Sequence, residues 1–289
     1  MPTALIILAA GQGTRMQSDL PKVLHMVAGA PLLAHAIESG RALEPSRIVI
    51  VAGHGAEAVE AAIADHEPAA EVVRQKEQLG TAHAVDQARA ALDGFAGDAV
   101  VLYGDTPFIT GETLARMAEA RTRGADVVVL GFEAADPGRY GRLIVENGEL
   151  LRIVEAKEAS AEELAVTLCN SGVVMADRET LFSLIAEVGN DNAKGEYYLT
   201  DIVGIARARG LRAAAVSCPE EETMGCDTRA DLARAEAIFQ ARKRREMLEN
   251  GVTLEAADTV IFAWDTALGR DVTVEPYVVF APGVTVETG

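Results

Sequence analysis

Two glycines, an arginine and a lysine stand close together in the stretch LAAGQGTRMQSDLPKVLH at residues 8–25: Gly11, Gly13, Arg15 and Lys22. Glycine has no Cβ, so backbone N–H groups at such a turn can come close to a phosphate. Arg15 and Lys22 add fixed positive charge, and Pro21 sets the backbone ahead of the lysine and aims its side chain. Two familiar phosphate loops are excluded. A dinucleotide fingerprint needs a third glycine where this chain has Met16, and the Gly-Lys-Ser/Thr of a P-loop does not follow Gly13. The parts present suit a triphosphate held by its oxygens, with charge eased at the α-phosphate.

These residues need a frame to hold them, and the chain supplies alternating strand-like and helix-like segments. Apolar runs at residues 4–10, 47–52, 99–103 and 125–131, with EVVRQ at 71–75, read as strands. Residues 31–39, 56–64, 81–92 and 111–123 read as helices, the first opened by proline. This rhythm predicts an α/β fold with an open, mainly parallel sheet covered on both faces. Ligands of such sheets bind beyond the carboxyl ends of the strands. The glycine loop and Asp105 are therefore expected to face one cleft. Further along, Asn147-Gly148 marks a hairpin turn, and helices are expected at 178–188, within GEYYLTDIVGIARARG, and from Arg229 to about Glu249, with a strand in LRAAAVSC.

Beyond Gly251 the pattern changes. Leu268, Val274, Phe280 and Val286 fall six residues apart, and Val272, Val278 and Val284 follow the first three of these by four. A hexapeptide period of this kind predicts a parallel β-helix, of which these residues would be the front part.

Of the 289 residues 49% are hydrophobic but only 4% aromatic, and the formal net charge is −18. So acidic a chain repels polyanions, and few aromatics are at hand to stack on bases, so no nucleic-acid partner is expected. The basic run at residues 242–245 reads as a solvated helix end. Three cysteines, Cys169, Cys218 and Cys226, have neither disulfide-framework nor CxxC spacing. The first residues read as a strand rather than a signal peptide, and no apolar run would span a membrane, so a cytoplasmic location is expected. None of the five histidines is assigned a catalytic role; His25, His54 and His83 fall near the expected cleft edge, and no pair has zinc-ligand spacing.

The opening stretch resembles the signature of sugar-1-phosphate nucleotidyltransferases. More narrowly, it is similar to the bacterial bifunctional N-acetylglucosamine-1-phosphate uridyltransferase/glucosamine-1-phosphate acetyltransferase family. The likeness continues through QLGTAHA, YGDTP, YGRLI, IVEAKEA, NSG and GEYYLTDI. It implies a Rossmann-like nucleotidyltransferase domain at residues 1–227, a linking helix at 228–250 and the start of a left-handed β-helix at 251–289. It also implies a reaction: N-acetylglucosamine 1-phosphate attacks the α-phosphorus of UTP in line, giving UDP-N-acetylglucosamine and pyrophosphate, with Mg²⁺ as cofactor. In this reading Leu8, Ala9, Ala10 and Gly11 line the nucleotide and Gly13 lies in the phosphate turn. Arg15 and Lys22 contact the phosphates, and Arg15 stabilises the transition state. Gln75, Gly80 and Thr81 read the uracil edge, and Tyr103 and Gly104 flank the sugar. Gly141, Glu155 and Asn170 bond the sugar hydroxyls and N-acetyl group. Asp105 and Asp227 hold the metal.

Asp227 stands where the family usually has asparagine; its carboxylate suits Mg²⁺, and it also suits the N-cap of the helix that follows. Ala82 stands where glycine is common. The family's acetyltransferase activity is not expected from this chain, which would hold only the start of the β-helix, and the full-length form is expected to be a homotrimer. Two other readings remain at this level: a transferase for another sugar phosphate or nucleotide, and a non-catalytic nucleotide-sugar binder.

Overall fold

A computed structural model describes residues 1–192 and 194–289, the Asp65 side chain aside. The chain divides into two compact units that do not follow chain order. The first comprises Met1–Gln12 and Leu33–Gly225; the second comprises Gly13–Leu32 and Cys226–Gly289.

The first unit is built on nine strands among the described residues. These are β1 (Thr3–Ala9), β2 (Arg47–Ala52), β3 (Glu71–Arg74), β4 (Asp98–Tyr103), β5 (Val127–Glu133), β6 (Arg142–Glu146), β7 (Glu149–Val154), β8 (Leu168–Asp177) and β9 (Ala213–Cys218). The sheet runs β9-β5-β8-β4-β1-β2-β3, with β6 and β7 as a hairpin reached through β8. β1 is buried along its whole length and pairs in parallel with β2 on one side and β4 on the other. That explains its unbroken apolar run, since a central parallel strand is covered on both faces. The core joins Ile6, Val49, Val101 and Val129 of the strands to Ala88, Leu92, Leu181, Phe182 and Ile202 of the covering segments.

Helices α1 (Leu32–Arg41), α2 (Ala56–His66), α3 (Thr81–Asp86), α4 (Gly111–Thr122), α5 (Ala161–Leu164), α6 (Arg178–Ile185) and α7 (Asp201–Ala208) occupy the connections. Side chains cap the starts of α4, α5 and α6. Thr110 accepts from the Thr113 N–H, Ser160 and Glu163 form a capping box, and Asp177 accepts from the N–H groups of Glu179 and Thr180.

Two expectations change here. The helix foreseen at 81–92 ends at Asp86 and continues as tightened turns, with Ala88 N–H on the Val85 carbonyl and Arg89 N–H on that of Asp86. Arg89 is held by tertiary contacts, its guanidinium 4.8 Å from the Phe182 ring centre and bonded to the Phe182 carbonyl, which override the Ala-rich helix propensity. Strand β8, which no sequence pattern announced, lies between β4 and β5 and is antiparallel to both. Its alternation is broken by a bulge between Asn170 and Val174 and by Gly172 at φ +90°. The Asn147-Gly148 turn is as expected, both residues at positive φ between β6 and β7.

In the second unit, a long helix, α8 (Arg229–Glu249), starts from a capping box in which Thr228 and Asp231 exchange hydrogen bonds. The N-cap is therefore Thr228, not Asp227. Residues 242–245 do not form a solvated helix end either: Arg244 reaches back to donate to the carbonyls of Val260 and Asp258, and the Lys243 side chain is only 13% exposed. After the helix, short strands pair in parallel: Thr253–Leu254 with Thr273–Val274, and Ala267–Leu268 with Thr285–Val286. Phe262 and Phe280 stack with ring centres 5.2 Å apart. Val260, Phe262 and Val274 are buried, with Leu268, Val272, Val278 and Phe280 packed against them, so the hexapeptide residues from Leu268 to Phe280 share one interior.

Ile6 is fully buried in the central strand. Ile6→Ala removes three carbons from a site that cannot collapse, and is expected to lower the free energy of unfolding by about 2–5 kcal/mol, read from urea denaturation.

Candidate active site

In the first unit, the register Leu8↔Tyr103 brings the ends of β1 and β4 level. The ladder continues one step into the loops, where the Gly104 N–H donates to the Leu8 carbonyl at 2.9 Å. The segments Ala10–Gly11–Gln12 and Gly104–Asp105 thus leave neighbouring strands at the same edge, as the alternating pattern predicts. Gln78 Nε2 donates to the Ala10 carbonyl at 2.7 Å, and Gly53 lies so close that a Cβ there would be 2.6 Å from that oxygen. A cleft of about 560 Å³ opens beyond β2 and β3, lined by Gln12, Gly53, His54, Gln75 and Gln78 among others.

Gln75, Gly80 and Thr81 come together around the start of α3. The Gln75 side chain is buried and donates to the Gly80 carbonyl at 3.2 Å. Gly80 has φ +111°, and a Cβ there would meet the Tyr197 carbonyl oxygen at 2.5 Å, so only glycine fits. Ala82 N–H donates to that same carbonyl, and the Thr81 hydroxyl accepts from the Leu199 N–H at 3.0 Å. The GEYYLTDI segment is therefore what holds this turn.

Tyr103, Glu155, Gly141 and Asn170 form a second group. Gly172 leaves room for the Tyr103 ring, which a Cβ would approach to 2.6 Å. Burial, then the charges of Asp105 and Glu155, push the Tyr103 phenol far up, so it remains a hydrogen-bond donor across the physiological range. The Thr200 hydroxyl donates to Glu155 Oε1 at 3.3 Å. The Asn170 N–H donates to the Gly141 carbonyl at 2.8 Å, and Asn170 Oδ1 accepts from the Gly172 N–H. Arg142, buried, donates to the carbonyls of Pro137, Gly138 and Tyr140 and so holds the loop that ends at Gly141. Sequence reasoning missed Arg142, Thr200 and Tyr197 as individuals, although each lies in a quoted motif; what they do depends on tertiary partners.

In the second unit, Gly13 (φ +62°) precedes the turn Thr14–Met16, and a Cβ on it would lie 2.7 Å from that of Lys22. Pro21 opens the turn Lys22–Leu24. Asp227 accepts at both oxygens, from Lys22 Nζ at 2.8 Å and from Arg15 Nη2 at 2.9 Å. Lys22 is largely buried (13% exposed), while Arg15 is open to solvent (66%). Partial burial opposes the charge on Asp227, but the hydrogen bond and charge of Lys22, then Arg15, outweigh it and hold the carboxyl below its ordinary range. Arg229 donates to the Met16 carbonyl at 3.1 Å and lies 3.3 Å from His25 Nδ1. Burial and Arg229 together lower the pKa of His25. Two cations converging on one carboxylate make a pair suited to anionic oxygens.

Among the described residues, no group of three or more His, Cys, Asp or Glu side chains is arranged as a metal cage. Mg²⁺ does not need one, since it keeps several waters and takes one or two carboxylates plus substrate phosphates. Asp105, a half-buried hard oxygen donor just past the end of β4, fits such an ion.

The sheet order and this edge define a Rossmann-like nucleotidyltransferase. The chain belongs to the family of MobA-like NTP transferase domains, whose profile matches residues 5–194. It is 64% identical over 271 residues to the bifunctional protein GlmU of Ruegeria sp. (strain TM1040), covering 94% of this chain and 60% of that protein. It is 57% identical over 288 residues to the bifunctional protein GlmU of Jannaschia sp. (strain CCS1), covering 100% and 63%. The chain thus spans about 60% of the length of the curated relatives it matches. A crystal structure of UDP-glucose pyrophosphorylase complexed with UDP-glucose superposes with a TM-score of 0.68 at 20% identity, covering 84% of this chain and 100% of that one, which shows the shared fold. Enzymes of this class generally depend on a divalent metal. No helix among the described residues is long and apolar enough to cross a membrane.

The lowered pKa of Asp227 carries a sign. Its stabilising contribution is complete above the unfolded carboxyl value of 3.8 and is lost as pH falls through the lower folded value. The stability difference between wild type and Asp227→Asn, followed by urea unfolding from pH 6 downward, is therefore expected to shrink below about pH 4.

Proposed function

We propose that the chain transfers a uridylyl group from UTP to N-acetylglucosamine 1-phosphate, releasing pyrophosphate. The supporting observation is the turn formed by Gln75, Gly80 and Thr81, a compact set of amide, backbone and hydroxyl groups at the sheet edge where such folds bind nucleotides. The high identity to bifunctional GlmU proteins supports the choice of sugar and nucleotide. In this reading Leu8, Ala9, Ala10 and Gly11 border the nucleotide, and Gln75, Gly80 and Thr81 meet the uracil edge. Tyr103 and Gly104 flank the sugar, whose hydroxyls and acetamido group bond to Gly141, Glu155 and Asn170. Gly13 lets the phosphate turn close on Lys22.

The chemistry asks for positioning and charge neutralisation, with no covalent enzyme intermediate. The sugar phosphate oxygen attacks the α-phosphorus, and the pyrophosphate leaves on the opposite side. Lys22 and Arg15 exchange their bonds to Asp227 for bonds to phosphate, and Arg15 follows the charge that builds in the transition state. Asp105 and Asp227 are the carboxylates assigned to Mg²⁺, which when bound draws charge from the phosphate oxygens. We assign residues 1–227 to the transferase domain, 228–250 to a linking helix and 251–289 to the first coils of a left-handed β-helix, whose full-length form is a homotrimer. The parallel pairing beyond Thr253 and the interior shared by the hexapeptide residues from Leu268 to Phe280 support that assignment.

Incubating the purified chain with UTP, Mg²⁺ and N-acetylglucosamine 1-phosphate is expected to release pyrophosphate in step with UDP-N-acetylglucosamine. Release with dTTP and glucose 1-phosphate but not with this pair would overturn the reading. Asp105→Ala is expected to lower turnover by about a hundredfold or more, with thermal unfolding unchanged. Chelation is expected to abolish turnover, and added Mg²⁺ to restore it.

A further inference from the structure

His83 lies in α3, two residues after Thr81, and has no part in the chemistry above. Its ring nitrogen Nδ1 is 3.0 Å from the amide nitrogen of Gln75. That amide nitrogen also donates to the Gly80 carbonyl at 3.2 Å. A carbonyl only accepts, so the amide cannot turn over without setting oxygen against oxygen. With one amide hydrogen on Gly80, the other is directed at His83. Nδ1 makes the shorter of the ring's two amide contacts and is the accepting nitrogen, which leaves the ring's proton on Nε2. Gln87 Nε2 donates to the His83 backbone carbonyl at 3.0 Å; at 3.3 Å from His83 Nε2, itself a donor in this tautomer, it makes no hydrogen bond to the ring. Gln75 is only 5% exposed, so its amide has little freedom. Both amide hydrogens are spent on the protein. The Gln75 carbonyl oxygen receives no hydrogen bond from the described residues.

We propose that His83 is a positioning residue for base selection: together with the Gly80 carbonyl it locks the Gln75 amide so that its oxygen is offered to the base as an acceptor. This rests on the reading that Gln75 meets the nucleotide's base. The chemical consequence is selective. Uracil and thymine carry a hydrogen on N3 and satisfy an acceptor. Cytosine has a bare N3, which would face the Gln75 oxygen as one acceptor against another. An amide free to turn over would offer its NH₂ group instead and lose that discrimination.

Steady-state kinetics with UTP and CTP on wild type, His83→Phe and His83→Gln test this. Phenylalanine keeps the ring's bulk without an acceptor. His83→Phe is expected to raise the KM for UTP and lower the UTP-over-CTP ratio of kcat/KM, each by about tenfold, the scale of one hydrogen bond, while kcat stays within about threefold. In His83→Gln the side-chain oxygen can accept the same hydrogen, and most of the ratio is expected to return. Where phenylalanine is not tolerated, His83→Ala is expected to show the same loss of ratio. A wild type that prefers UTP over CTP, with folded His83→Phe or His83→Ala keeping that preference unchanged, would overturn the role of His83 alone. A wild type with no preference for a uracil or thymine nucleotide over CTP would overturn the uridylyl reading, and this inference with it.

Discussion

The pairing of the first strand on both its edges is the constraint from which the rest of the first unit follows. Thr3–Ala9 is bonded along both edges and covered on both faces, its seven residues buried without exception. The register with Asp98–Tyr103 then fixes where the chain must leave the sheet, and the Gly104 N–H on the Leu8 carbonyl carries that register past the last paired residue. Two loops with chemical content thereby start from the same level. Moving this strand by one residue would turn every side chain to the opposite face and displace both loops at once.

Around that edge, backbone carbonyls rather than charges do most of the holding. Gln78 secures Ala10, the Tyr197 backbone secures Leu79 and Ala82, and Arg142 gathers three carbonyls below Gly141. Glycine stands where such contacts leave no space, at Gly80 against the Tyr197 backbone and Gly172 against the Tyr103 ring. The second unit works by charge. In a chain with net charge −18, Arg15 and Lys22 would attract any stray carboxylate, and Asp227 gives them a defined one.

Much of the fold is readable from residue order because its strands are continuous apolar runs closed by glycine or by turn signals. Arg47–Ala52 is found at the bounds its sequence suggests, and the Asn147-Gly148 hairpin needs no more than its turn residues. Leu168–Asp177 was hidden because Gly172 and the adjoining bulge interrupt the alternation that marks a strand, and a strand antiparallel to both neighbours does not fit the βαβ rhythm. The clustering of residues 13–32 with the C-terminal segment is equally invisible in the sequence. It depends on distant bonds such as Ala28 N–H to Glu236 and Trp264 N–H to the Ala28 carbonyl. Gly13, Arg15 and Lys22 stood out in the sequence by type and spacing, but the shared bond partner of the two cations, Asp227, lies some two hundred residues on and could not be read from the local pattern. Thr228 rather than Asp227 caps the long helix because the Asp227 carboxylate is already committed to two cations.

The parallel pairing near the C-terminus sets a rule for changes in length. Ala267 pairs with Thr285 and Ile261 with Val279, each eighteen residues on, whereas Leu254 meets Val274 twenty residues on. The two additional residues fall in the stretch that contains the short turn Ala257–Thr259, and the inward positions on either side remain aligned. Corners of this segment can thus absorb an insertion that its flat faces cannot. A single added residue on a face would throw Val260, Phe262 and their partners out of phase, while a loop grafted at the corner would leave the stacked phenylalanines undisturbed. The corner at Ala257–Thr259 is therefore where a change in the length of this chain would disturb its interior least.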